Sequence, residues 1–159
     1  MLRDTQVNAI WEGTTNILSL DVLRAVNKSS RSVLGHFRSD VLTRIHTARE
    51  FPNLQEASSK VEKALREVLQ AAVKLPPDCV EMAAREFAYS LSRIYIGALL
   101  IEHAAHHEAT PSDVYTALKW CERDLSPLCT HEDNKSFSQE AQKQNLQLVF
   151  DGYPEKSRL

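Results

Sequence analysis

The chain has 159 residues, enough for one domain with a real core, and 43% of them are apolar. Four glycines and six prolines favour long regular elements and exclude a turn-rich β sandwich. Net charge is −2, with 12 Lys/Arg against 9 Asp/Glu over residues 17–93 and 6 against 10 over 94–159, so there is no basic stripe to favour a nucleic-acid partner.

Residues 1–11 read as the end of an element, with Val7, Ile10 and Trp11 at helical spacing, and Gly13 breaks it. Thr14 or Thr15 then caps a new helix whose apolar residues run from Ile17 through Leu20, Leu23, Val26, Leu34, Phe37 and Val41 to Ile45. The polar run Asn27-Lys28-Ser29-Ser30 marks a bend in it. Phe51-Pro52-Asn53 is a break, with Asn53 as the cap of a helix from about Leu54 to Leu75. Pro76-Pro77-Asp78 stops that helix and starts the most apolar one, from about Asp78 to Glu108. Its face has little room for polar side chains, which predicts a central position covered on more than one side. Thr110-Pro111-Ser112-Asp113 breaks and caps again, and a shorter helix follows to about Asp124. Residues 126–136 read as loop, Ser136 as the cap of a last helix over Phe137 to Leu148, and 149–159 as a tail. No β signal is evident. The expected fold is an all-α antiparallel helical bundle.

Cys79, Cys121 and Cys129 are odd in number and widely spaced, which predicts free thiols and no Cys/His metal set. Arg3, Asp4, Gln6 and Asn8 interrupt any secretory signal, and the run Ile94–Ile101 is too short to span a bilayer. His103, His106 and His107 have the spacing of helical metal ligands, but a helix C-terminus favours His for its dipole alone, and no metal is expected. Arg85, Glu86 and Arg93 read either as buried ion pairs or as an exposed face, and Tyr89, Tyr95 and Trp120 as packing. Lys60, Lys63 and Arg66 read as a solvated helix face.

The segment Arg3-Asp4-Thr5-Gln6-Val7-Asn8-Ala9-Ile10-Trp11-Glu12-Gly13-Thr14-Thr15-Asn16-Ile17 resembles the acyl-CoA dehydrogenase family, near the C-terminus of its catalytic core. Asn16 to Val26 is most similar to the AidB-like branch, and Arg85 to Ala104, REFAYSLSRIYIGALLIEHA, resembles the helical domain which that branch adds. The resemblance implies three regions: 1–26, the end of the catalytic bundle; 27–148, the added helical domain; and 149–159, the tail. It implies FAD as cofactor and an acyl-CoA as substrate. It places the general base at Glu12, a substrate contact at Gly13 and flavin contacts at Thr14, Thr15 and Asn16. The residues suit those roles. A carboxylate walled by Trp11 becomes a stronger base as burial raises its pKa, and a glycine lets backbone approach a thioester closely. The family's remaining domains would lie upstream of the motif. The resemblance therefore implies the C-terminal piece of a larger flavoenzyme, with the 159-residue chain inactive by itself.

The last residues, Ser157-Arg158-Leu159, resemble the Ser-Lys-Leu peroxisomal address, which implies a peroxisomal import receptor as partner. The alternative locations are mitochondrion and cytoplasm. A second function class stays open beside the enzyme: a non-catalytic helical module for oligomerisation or partner docking, with a homo-oligomer expected. Nucleic-acid binding is the third and weakest.

Overall fold

The computed structural model describes residues 15–75, 77–133 and 135–151. Among them are helices and no strand: α1 (Thr15–Lys28), α2 (Ser32–His46), α3 (Gln55–Lys74), α4 (Pro77–Val80), α5 (Ala84–Ala104), α6 (Pro111–Cys121), α7 (Pro127–Asp133) and α8 (Gln139–Phe150). Short 3₁₀ turns, Thr47–Glu50 and Pro52–Leu54, link α2 to α3. The all-α expectation holds.

Helix α5 occupies the middle. It packs against α1, α2, α3, α6 and α7, as its apolar composition predicts. Phe87, Ile94, Ala98 and Ile101 point inward from it and meet Val41 and Ile45 of α2, Val61, Leu65 and Val68 of α3 and Ala117 of α6 in one core. Each fully buried Leu, Ile or Val contributes about 1.5–3 kcal/mol over its exposed state. At Gly97, on the side of α5 facing α3 and α6, a Cβ would meet Val61 Cγ2 at 3.0 Å. The missing side chain is what lets the helices approach there.

The bend expected at 27–30 is a full break. The N–H of Arg31 donates to Val26 O at 2.9 Å and that of Ser30 to Asn27 O at 3.1 Å. This is a Schellman end to α1, with Ser30 in the left-handed position that glycine usually fills (φ 51°). Arg31 follows with φ 68° and α2 starts anew.

Four boundaries differ from expectation. Asn53 does not cap α3: it lies inside the 3₁₀ turn, and buried Leu54 precedes the helix without a side-chain cap. The helix expected over 78–108 is two, α4 and α5, joined by a turn at 81–83, and α5 stops at Ala104. The loop expected over 126–136 contains α7. Its composition reads as loop, but Leu128 is fully buried and its N–H donates to Ser90 Oγ at 3.1 Å, so tertiary burial holds the turn. Ser138, not Ser136, caps the last helix, its hydroxyl accepting from Ala141 N–H at 3.1 Å; burial of Phe137 anchors the residue before it. At Thr110 the expectation holds, with a reciprocal capping box to Asp113.

Candidate functional site

Of the expected site residues, Glu12, Gly13 and Thr14 lie outside the described residues, as do Ser157, Arg158 and Leu159. Thr15 and Asn16 are the first two described residues of α1. Asn16 stands at the edge of a cleft of about 280 Å³, with Ser19 and Leu20 of α1 on one side. The other side comes from Glu81, Met82, Arg85 and Glu86 of the α4–α5 region and from Phe137.

The cleft has an apolar back and a charged lip. Ser19 is 2% exposed, and its hydroxyl is satisfied by donating to Thr15 O at 2.7 Å. Arg85 is exposed, with its guanidinium 5.8 Å from the centroid of the Tyr89 ring. Glu86 is largely covered, and His131 Nδ1 lies 3.8 Å from its Oε1. The His131 ring in turn faces Phe137, centroids 6.3 Å apart. Such a cleft can orient the polar edge of a ligand against a hydrophobic wall. His131 was hidden from sequence reasoning, because it falls in the stretch that composition reads as loop.

The charged and aromatic side chains of α5 make structural contacts. Arg85, Glu86 and Arg93 do not pair with one another: Arg93 Nη1 donates to Asp124 O at 2.8 Å, and Trp120 Nε1 donates to Arg93 O at 3.0 Å, stapling α5 to α6. The three histidines separate. His103 Nε2 lies 3.5 Å from Asp113 Oδ1, whereas His106 and His107 leave the helix and stand exposed beside Glu108. The ligand atoms of His106, His107 and Glu108 lie within 4.8 Å of one another, but the N–H of Glu108 donates to His106 Nδ1 at 3.3 Å, which occupies one of the nitrogens.

Charge on α2 and α5 is used for fastening. Arg44 donates to Asp40 Oδ2 at 2.9 Å and to Glu102 Oε2 at 2.5 Å, and its guanidinium sits 5.4 Å from the Tyr95 ring centroid. Hydrogen bonds from Arg44 and then Tyr95 hold the Asp40 carboxyl below the ordinary carboxylate range, and the same two carboxylates push the Arg44 pKa up. Burial pushes the Cys121 thiol up to about 11, so it is a packing residue and a poor nucleophile. Among the described residues, no helix is long and apolar enough to cross a membrane.

Comparison with known proteins gives two findings. The family described as "Acyl-CoA dehydrogenase 11 C-terminal domain-like" matches residues 32–150. The chain is also 35% identical over 169 positions to "Acyl-CoA dehydrogenase family member 11" of Caenorhabditis elegans, an alignment covering 100% of this chain and 27% of that relative. The chain thus spans about a quarter of the length of the curated relative it matches. No solved structure matches it.

Proposed function

The chain belongs to the acyl-CoA dehydrogenase 11 C-terminal domain-like family, and from that premise we propose that it is the C-terminal helical part of an FAD-dependent acyl-CoA dehydrogenase. The observation that carries this reading is the 35% identity running through the whole chain, motif included. A cleft of about 280 Å³ is too small for a whole dinucleotide, since sites for drug-sized ligands run to about 300–1,000 Å³. Asn16 lines that cleft with Thr15 next to it in α1, and the pair fits one polar edge of the cofactor.

In this proposal Glu12 is the general base and takes the proton from the α carbon of an acyl thioester. Trp11 excludes water and keeps the carboxylate basic. Gly13 admits the thioester close to the backbone, and Thr14, Thr15 and Asn16 donate to the flavin edge. Bound FAD supplies the hydride-accepting ring. The 159-residue chain alone neither retains FAD nor oxidises acyl-CoA, because most of the site comes from elsewhere in the parent. Ser157-Arg158-Leu159 directs the parent to the peroxisome.

The test uses the longest transcript-supported protein, assayed for flavin content and acyl-CoA-dependent dye reduction, with Glu12→Gln alongside. Retained flavin with turnover lost in the variant supports the assignment. Retained flavin with turnover unchanged refutes Glu12 as the base. A yellow, stable preparation of the 159-residue chain would refute the claim that it is incompetent alone.

Helix α8 favours a second reading, a module for association. None of its residues is buried, and Leu146, Leu148 and Val149 are 52%, 78% and 65% exposed. Exposed apolar side chains of this size favour contact with another surface, a homo-oligomer first. Leu148→Glu should then lower the oligomeric mass measured by sedimentation.

A further inference from the structure

Helix α3 presents two parallel rows along one side. Leu65, Leu69 and Val73 form an apolar row at intervals of four, and Arg66, Gln70 and Lys74 form a polar row beside it. Arg38 and Leu42 of α2 supply the facing wall, and the whole bounds a groove of about 590 Å³. Leu65 is its floor at 2% exposed, Leu42 and Leu69 are half-buried, and Val73 is open at one end at 63%. Eight residues of helix span about 12 Å, the length of roughly two turns of an occupant.

The charges around this groove are unlike those elsewhere on α2 and α3. Arg44, Lys60 and Lys63 are ion-paired. Arg38, Arg66 and Lys74 are exposed and pair with no carboxylate among the described residues. Three cations against Glu62, the acid of the lining, leave it at +2.

We propose that the α2–α3 groove docks an acidic amphipathic helix of a partner protein. Its apolar side lies over Leu65, Leu69 and Val73, and carboxylates on its flanks meet Arg38, Arg66 and Lys74. A bilayer is a poorer fit, because Leu65 and Leu69 lie below a charged rim and Val73 alone reaches outward, too little apolar surface to anchor in lipid. Helix α8 of a second copy is also poorer, since Glu140 is offset by Lys143 and leaves it no acidic flank. The groove shares no residue with the cleft at Asn16 or with α8, so this inference stands apart from both readings above.

The probe is a fluorescein-labelled 16-residue peptide with leucines at helical spacing and glutamates on both flanks. Its twin has lysine at each glutamate. Anisotropy on the 159-residue chain should show saturable binding of the acidic peptide, weakened by salt, and none of the twin. The triple variant Arg38→Glu, Arg66→Glu, Lys74→Glu changes only exposed side chains and should weaken binding about tenfold with an unchanged circular dichroism spectrum. Val73→Asp tests the apolar row independently and should weaken it too. Equal binding of the two peptides, no binding of the acidic one, or an affinity indifferent to the triple variant overturns the proposal. So does capture by phosphatidylserine vesicles in place of the peptide, which would assign the groove to lipid. Self-association abolished by the triple variant would assign it to a second copy.

Discussion

Replacing Gly97 by alanine should destabilise the bundle or leave it level, while the same change at Gly35 should stabilise it. Both glycines lie within helices, α5 and α2. In an exposed helix interior alanine is favoured by about 1 kcal/mol, because glycine has more backbone freedom to lose on folding. A Cβ on Gly35 meets nothing within 4 Å, so that position keeps the whole gain. A Cβ on Gly97 meets Val61 Cγ2 at 3.0 Å, Trp120 Cδ1 at 3.5 Å and Cys121 Sγ at 3.7 Å. Val61 is fully buried, so its methyl can retreat only by displacing packed neighbours. Overpacking of this kind costs about 1–3 kcal/mol. Against a propensity gain of about 1 kcal/mol, the net loss at Gly97 is about 0–2 kcal/mol, and the two variants should differ by about 1–3 kcal/mol. Urea unfolding followed by circular dichroism measures the difference, provided the m-value stays constant. Gly97→Val should be worse than Gly97→Ala. If Gly97→Ala proves as stabilising as Gly35→Ala, the contact of α5 with α3 and α6 is not tight and the argument fails.

Ser90→Ala should cost about 1–3 kcal/mol in thermal unfolding, because the fully buried hydroxyl accepts the N–H of Leu128 and no other acceptor replaces it. Ser30→Gly should raise stability by about 0.5–1 kcal/mol, since glycine occupies the left-handed position at the end of α1 without the steric cost that serine bears. The Thr110 hydroxyl and N–H, and then His103, hold the Asp113 carboxyl below its ordinary range. A carboxylate whose pKa is lowered by folding stabilises above the unfolded value, near pH 4, and that contribution is lost as pH falls through the folded value. Asp113→Asn should therefore lower stability at pH 7 and flatten its decline below about pH 4; an unchanged profile would show that the capping box carries no net linkage. Cys121 should resist iodoacetamide at pH 8 in the folded protein and react on unfolding, as a thiol pushed up to about 11 by burial must.

One wall of the cleft at Asn16 was readable as a helix from the chain itself. The aromatic-Glu-Gly-Thr-Thr run carries the family resemblance in consecutive residues, and the apolar periodicity from Ile17 onward matches the helix α1. The facing half was not readable. Glu81, Arg85 and Phe137 are more than sixty residues away from Asn16 along the chain, and only the packing of α1 against α5 brings them to the same cleft.

Local chemistry is what a sequence states by itself. Helical periodicity, the Thr110–Asp113 capping box and the central place of the most apolar helix all follow from residues within a few turns of one another. Tertiary structure decided what depends on distant partners. It made a helix of 127–133 by burying Leu128 against Ser90, and moved the last cap to Ser138. It joined Arg44 to Glu102, and gave Gly97 its purpose as the point where three helices nearly touch. The reason is physical: propensity and capping are short-range terms of about 1 kcal/mol, and burial against a side chain far along the chain outweighs them.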